Sequence, residues 1–584
     1  MAEFQDSKIS GDSSQEESKE LNEQQKRAFD AVVHEKQSIY LTGPGGTGKS
    51  HIINKICSHM NEQNENYLLL STTGISACNL KYGGETVYSV LKLGLGQSPI
   101  NEIRQKMIIG HKRFCCSKKN ENTDTNVHTS SVCPINRIKK AQLLILDEVS
   151  MLPGRLLYSI HRILQWIRND RSLFGGICTL FVGDFFQLCP IFDGPLETPE
   201  FLAQEEIDPI FKETNGQKYV FQTSLWNELI QNDNVHYLEQ SFRQKDDALF
   251  LEILNRMRLG QLTPNDASVL MTRQIGETEI PSHAVCLFSH VKTVNSFNER
   301  KLQSCPFPEI TTHIYIDINV SQSTDEEENT QSERKLRNDF LQEKIGMFLK
   351  EKRPSETFTF RRNARIMLIN NLSIINKLFN GRMGFIRNVG HYECPADETL
   401  MSSIVPEAFV QVMSEEELLS QNEWNWQAND NIVFQVEFDS FHDSADNMHW
   451  ICANKVKQEY KHIGSFELTQ FPFQLAWAVT IHKSQSQTLT SAVIDMQGIF
   501  EHGQAYTAFS RVTSLEGLFI LNPDMTRFFV DPPVMEWELR TKNISSEKNL
   551  QMISFHLNLS DEQKTILRNL PISQVIQLLE MPDL

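Results

Sequence analysis

The sequence predicts an α/β protein built on parallel sheet, and three observations carry that prediction. First, the apolar run Ser38-Ile-Tyr-Leu41 leads into Thr42-Gly-Pro-Gly-Gly-Thr-Gly-Lys-Ser50 and then into the helix-compatible run His51-Ile-Ile-Asn-Lys-Ile-Cys-Ser58. Strand, glycine-rich turn and helix is the context a phosphate-binding loop requires. Second, the alternation continues with the short apolar run Tyr67-Leu-Leu-Leu70 and the small-residue loop Ser71-Thr-Thr-Gly-Ile-Ser-Ala77, as a parallel α/β sheet demands. Third, Gln142-Leu-Leu-Ile-Leu-Asp147-Glu148 places two carboxylates after a buried strand. That is the strand end at which open α/β sheets bind ligands.

The chain has 584 residues, too many for one hydrophobic core, so two to four domains are expected. Its 40% apolar, 22% charged and 9% aromatic residues are ordinary for a globular protein. No apolar run reaches the length of a membrane span, and the N-terminus reads as neither a signal nor a transit peptide. Eleven scattered cysteines suit free thiols in a reducing compartment. A net charge of −18 argues against a protein that coats duplex nucleic acid non-specifically. It leaves room for a narrow groove that grips a single strand by base stacking.

Residues 1–20 are Ser-, Glu- and Lys-rich and read as a disordered tail. Folding begins at Leu21, with Asn22 as cap of a helix running to Val33. In the loop Gly43, Pro44, Gly45, Gly46, Thr47, Gly48, Lys49 and Ser50, four glycines let backbone N–H groups face a phosphate, and the next helix aims its positive end there. Lys49 is placed to reach the β- and γ-phosphates, and Ser50 to hold Mg²⁺. Asp147 fits a Mg²⁺ partner, and Glu148 a group that orients and deprotonates an attacking water. A nucleoside triphosphate and Mg²⁺ are the expected cofactors.

Residues 97–137 interrupt the pattern as a polar insertion carrying His111, Cys115, Cys116, His128 and Cys133. Their spacing matches no paired zinc arrangement, and a surface insertion is the expectation. A helix-like stretch, Leu156 to Ile167, then precedes the strand Thr179–Val182 and Gly183-Asp-Phe-Phe-Gln-Leu-Cys-Pro190. Gln187, at the end of a third core strand, is placed to sense a γ-phosphate.

With these motifs in order, the chain resembles the PIF-type (petite integration frequency) DNA helicases of the first helicase superfamily, in its 5′→3′ branch, over about residues 21–530. Leu21-Asn-Glu-Gln-Gln25 is similar to the adenine-reading glutamine motif, which implies Gln25 on the base and ATP as the triphosphate. Thr73-Gly-Ile-Ser-Ala77 resembles a motif that contacts single-stranded DNA, implying Thr73 and Gly74. Asp147-Glu-Val-Ser-Met151 and Gly183-Asp-Phe-Phe-Gln187 resemble the acidic and coupling motifs, and Leu156 to Ile177 the stretch that sets this family apart. Leu238-Glu-Gln-Ser-Phe-Arg-Gln244 implies Arg243, and Tyr506-Thr-Ala-Phe-Ser-Arg511 implies Arg511, as γ-phosphate arginines delivered from a second lobe. Leu475 to Gln485 resembles a motif touching DNA and nucleotide, implying His482, Lys483 and Ser484 on DNA.

The resemblance implies two tandem RecA-like P-loop NTPase motor domains with a small β-barrel insertion in the second. The expected bounds are 21–235 for the first motor domain, 236–384 with 471–533 for the second, 385–470 for the insertion, and 534–584 for a helical tail. Ile432–Phe438 reads as a strand of the insertion, and the charged run 322–337 as a solvated segment. Trp477 and Phe186 are open between core packing and base stacking, and His482 between a DNA contact and a satisfied histidine. Three positions depart from the family pattern: Tyr88, Cys189, and Ser486, where glycine is usual after Lys-Ser-Gln. If that position requires positive φ, serine costs about 1 kcal/mol or more of local strain.

The function expected is therefore an ATP-dependent 5′→3′ helicase acting on single-stranded and forked DNA. It would be a monomeric motor with no membrane partner. The resemblance implies a nuclear location, with a viral or bacterial source left open. Two rivals stand beside it: an ATP-gated clamp that holds a strand without processive unwinding, and a helicase that prefers RNA.

Overall fold

The computed structural model describes residues 21–542 apart from 94–95, 97, 118–132, 308, 321–334, 336, 343–344, 347–356, 371, 374–375, 377, 379, 394–402, 415–423, 428–430, 440–446 and 461–463. The expected tail 1–20, most of 322–337 and all of 543–584 lie outside the described residues, as do the side chains of Cys115, Cys116 and His128. The described chain forms two compact units, 21–261 with 529–542, and 262–528.

In the first unit, helix α1 (Glu23–Val33) starts from Asn22, whose side chain accepts from Gln25 N at 2.9 Å. Gln25 Oε1 in turn accepts from Asn22 N at 3.2 Å, a reciprocal cap that satisfies two end donors. Six strands follow: β1 (Ile39–Thr42), β2 (Tyr67–Ser71), β3 (Glu85–Thr86), β4 (Leu143–Asp147), β5 (Cys178–Gly183) and β6 (Val235–Tyr237). They lie in the order β3-β2-β4-β5-β1-β6, every pair parallel. β1, β2 and β4 are buried along their whole length, which is why they read as continuous apolar runs rather than alternating ones. Helix α2 (Lys49–Glu62) covers one face through Ile52, Ile53, Ile56, Cys57 and Met60. These recur at the helical period, each large side chain contributing roughly 1.5–3 kcal/mol of burial.

Several expected boundaries move. Residues 236–261 were expected in the second lobe, yet β6 pairs with β1 at Tyr40↔Val235 and Thr42↔Tyr237, and the first unit ends at Gln261. The unit is completed by the helix Pro532–Thr541, expected partly in the second motor domain and partly in a separate tail. Its Trp537 ring lies 5.6 Å from Tyr40 and 5.1 Å from Phe185, and Asp531 accepts from Lys218 Nζ at 2.8 Å and Tyr219 OH at 2.7 Å. The insertion 97–137 is also less irregular than expected. Ile100–Ser117 and Pro134–Lys140 are helices, held by buried Ile100, Ile103, Met107 and Ile138.

The second unit has its own parallel sheet, ordered Ala478–Thr480, Val285–Phe288, Ala492–Asp495, Leu518–Leu521. Between its first two strands in sequence runs a β-rich insertion wider than 385–470. Strand Arg365–Leu368 is paired on one side with Met383–Phe385 and on the other with Phe473–Leu475, so the antiparallel sheet reaches beyond both expected edges. Phe360, Phe434 and Phe471 form its centre, with ring separations of 4.3 and 4.6 Å. A register shift between Ile386 and Asn388 breaks the pairing with Ile432–Phe438, and such a bulge bends and curls a sheet. The architecture is two RecA-like α/β sheets with a curled half-barrel insertion in the second unit. No helix among the described residues is long and apolar enough to cross a membrane.

Candidate nucleotide-binding site

The carboxyl ends of β1, β4 and β5 bring the first unit's polar residues together. After β1 the chain turns through Gly46 and Gly48, both at φ 85°, a region that only glycine enters without strain. A Cβ on Gly46 would stand 2.5 Å from Arg243 Cβ, and one on Gly48 2.7 Å from Gln25 Nε2. The loop is thus clasped from two sides. Phe242 N donates to Gly46 O at 2.8 Å, and Gln25 Nε2 to Thr47 O at 3.4 Å. Thr47 Oγ1 closes the turn on Pro44 O at 2.9 Å. Lys49 Nζ donates to Gly43 O at 2.7 Å and Pro44 O at 3.0 Å. Burial pushes its ammonium below the usual lysine range, against the pull of Asp184, Glu148 and Asp147. Ser50, next along α2, is exposed.

Asp147 ends β4, 5% exposed. Burial and then the Glu148 carboxylate raise its pKa above the ordinary carboxyl value, while a hydrogen bond from Ser76 opposes the rise. That bond, Ser76 Oγ to Asp147 Oδ2, is 2.5 Å. Glu148 sits at φ 55°, a sparsely populated conformation for a side-chain-bearing residue and one that clusters at functional sites. Thr72 Oγ1 holds the Glu148 carbonyl at 2.8 Å. At the end of β5, Gln187 Nε2 donates to Asp184 Oδ2 at 3.3 Å. A hydroxyl and a carboxylate are hard oxygen donors of the kind Mg²⁺ takes alongside phosphates, so Ser50 and Asp147 fit that ion.

Gln25, the loop from Gly43 to Ser50, Asp147, Glu148, Gln187 and Arg243 therefore all belong to the first unit. Arg243 is the correction: it was expected from a second lobe and instead packs on Gly46, because β6 keeps its segment with the first sheet. Thr73 caps the helix Gly74–Asn79, accepting from Ser76 N at 3.1 Å. Ser76 thereby joins the segment expected to touch DNA to the acidic strand end.

Arg511 and the late motif lie in the second unit. Arg511 is buried, with Nε on Thr507 O at 3.0 Å and Nη2 on Ser510 Oγ at 2.9 Å. His482 Nε2 is 3.1 Å from Glu501 Oε2, Lys483 Nζ donates to Gln474 Oε1 at 2.7 Å, and Ser484 Oγ to Ile481 O at 2.8 Å. Trp477 packs against two apolar clusters, and Phe186 is buried beneath the Arg258 guanidinium at 4.0 Å. Both are packing residues here. His111 Nδ1 meets Cys133 Sγ at 2.9 Å, and no group of three or more potential metal ligands occurs among the described residues.

Sequence reasoning did not single out Asp184, Arg258, Glu538 or Ser76. Asp184 carried a signal, a charge directly after an apolar strand. Arg258 and Glu538 carried none, since their pairing joins positions 280 residues apart.

A family model described as PIF1-like helicase matches residues 20–112 and 105–267. The chain is 27% identical over 538 residues to the ATP-dependent DNA helicase PIF1 of Emericella nidulans, covering 88% of this chain and 62% of that protein, less than two thirds of it. It is 27% identical over 534 residues to the uncharacterized protein 030L of Invertebrate iridescent virus 6, covering 86% and 91%. The fold matches the crystal structure of the Pif1 helicase from Candida albicans with TM-score 0.64 at 23% identity, over 90% of this chain and 99% of that one.

Proposed function

We propose that the chain is a PIF1-like helicase, an ATP-dependent DNA helicase that translocates 5′→3′ on single strands and opens forked duplex. The observation that supports this most directly is the convergence of the phosphate loop, Asp147–Glu148 and Gln187 at adjacent parallel strand ends. Ser50 and Asp147 would hold Mg²⁺, which neutralises charge on transferring phosphates. Gln25 reads the base, and Lys49 leaves its two carbonyl partners for the phosphates. Glu148 orients and deprotonates water, with its carbonyl fixed by Thr72. Gln187, Arg243 and Arg511 respond to the γ-phosphate.

Thr73, Gly74, His482, Lys483 and Ser484 grip the strand in this reading. Hydrolysis reaches Thr73 and Gly74 through the Ser76–Asp147 hydrogen bond. A nuclear location and a monomeric motor are part of the same proposal. The test is a pair of tailed duplexes with ATP. The 5′-tailed one should be unwound and the 3′-tailed one left intact; unwinding of the 3′-tailed duplex alone would overturn the polarity.

A second reading, an ATP-gated clamp without processive unwinding, is favoured by Ser486, which stands at φ 63° where the family usually has glycine. DNA-stimulated hydrolysis with neither duplex opened would support it.

A further inference from the structure

The loop that carries Gln187 is anchored by an arginine its own motif does not contain. Asp184 is 1% exposed, and its Oδ1 accepts from Arg258 Nη2 at 2.9 Å and Nε at 3.2 Å. Phe186 N donates to the same oxygen at 3.3 Å, while Oδ2 takes Gln187 Nε2 at 3.3 Å. Burial pushes the Asp184 carboxyl up, and Arg258 and Lys49 more than reverse this, holding it ionised. On the other side of Arg258, Glu538 Oε1 lies 3.5 Å from Nη1. Glu538 is itself 2% exposed and paired with Lys542 at 2.9 Å.

A buried ion pair of this kind is poor value for stability alone, since apolar side chains of similar volume commonly serve as well. What it supplies is orientation. With Nε2 committed to Asp184, the Gln187 amide has one way to face, because an ionised carboxylate accepts and cannot donate. The guanidinium fork fixes the carboxylate plane in a way a point charge does not.

We infer that Arg258 is the positioning residue for Gln187: it fixes Asp184, Asp184 fixes the Gln187 amide, and Glu538 of the helix Pro532–Thr541 holds Arg258 in place. The inference rests on the helicase reading for what Gln187 senses, and on geometry alone for how Gln187 is held.

The full chain carrying Arg258→Lys, Gln187→Ala or both is assayed for ATP hydrolysis at saturating single-stranded DNA. Arg258→Lys should lower kcat about tenfold or more while KM for ATP stays within about twofold, the loss expected of a charged hydrogen bond felt only at turnover. In the Gln187→Ala background the same change should have no further effect, because its target is gone. A full multiplicative loss in that background, or an unchanged kcat in the single variant, overturns the inference. If Arg258→Lys unfolds, Glu538→Gln, which loosens Arg258 without touching Asp184, is put through the same cycle and judged by the same outcomes. Absence of hydrolysis in the unaltered chain would instead refute the helicase reading. The positioning is then decided by the crystal structure of Arg258→Lys, in which a Gln187 amide still seated on Asp184 overturns it.

Discussion

Replacing Ser486 with glycine should stabilise the second unit, and the structure gives the reason. Gln487 N donates to Ser484 O at 3.0 Å, closing a four-residue turn. Its second residue, Gln485, sits at φ −57° and ψ 141°, and its third, Ser486, at φ 63°. That is the type II pattern, whose third position requires positive φ and ordinarily takes glycine or asparagine. Serine there costs roughly 1–2 kcal/mol through its Cβ. Glycine removes that cost but adds roughly 0.4–1 kcal/mol of unfolded-state entropy. The net expectation is a gain of about 0.5–1 kcal/mol. Urea unfolding of the unaltered chain, Ser486→Gly and Ser486→Ala measures it. Alanine keeps the Cβ and the strain, so only glycine should shift the midpoint of the second unit upward. An equal gain from both, or a loss with glycine, would refute the strain argument, because then the Ser486 side chain and not its backbone would set the balance.

Lys49→Ala should abolish ATP hydrolysis while leaving the thermal midpoint within a few degrees, since the side chain donates only to Gly43 O and Pro44 O among its hydrogen bonds described above; steady-state hydrolysis and a melting scan check both halves. Arg511→Ala should spare ATP binding and slow turnover by about 10³-fold or more, the usual loss for such an arginine, measured by nucleotide titration beside hydrolysis. His161 is buried and accepts from Phe174 N at 3.1 Å, and burial lowers its basicity to about 4 from 6.5. The folded state therefore favours the neutral ring, while the unfolded chain protonates near 6.5. Stability is full above 6.5 and falls as pH drops towards 4, by about 3 kcal/mol in total. His161→Gln, which retains an acceptor, should flatten that acid limb in denaturant titrations across pH.

The loop and strand-end geometry of the candidate nucleotide site was legible because it is local. A loop that bends through Gly46 and Gly48, a lysine at the start of α2 and a carboxylate at a strand end are each written in consecutive residues, and parallel pairing then gathers the strand ends. Asn22 and Gln25 were readable for the same reason, since a capping box spans one helical turn. The unit boundary was not local. Whether 236–261 joins the first or the second sheet depends on β6 finding β1 across nearly two hundred residues of chain, and a three-residue strand has too little pattern to announce its partner. The helix Pro532–Thr541 poses the same difficulty, for its amphipathic face shows that it packs but not that Trp537 packs on Tyr40 and Phe185.

That difference in legibility tracks a difference in physical role. Arg243 was recognised by its motif yet assigned to the wrong unit, and its placement beside Gly46 changes what it can report. In the proposed helicase, an arginine carried by the first unit beside the phosphate loop would answer the nucleotide, which suits Arg243 to binding. In the same proposal Arg511, carried by the second unit and oriented by Thr507 and Ser510, would have a response that depends on that unit. Sensitivity of turnover to the nucleic-acid strand should therefore reside in Arg511 and the Ser484–Gln487 turn, and affinity for nucleotide in Arg243. The strained turn at Ser486 stands only a few residues from His482, Lys483 and Ser484, the residues proposed to grip the strand.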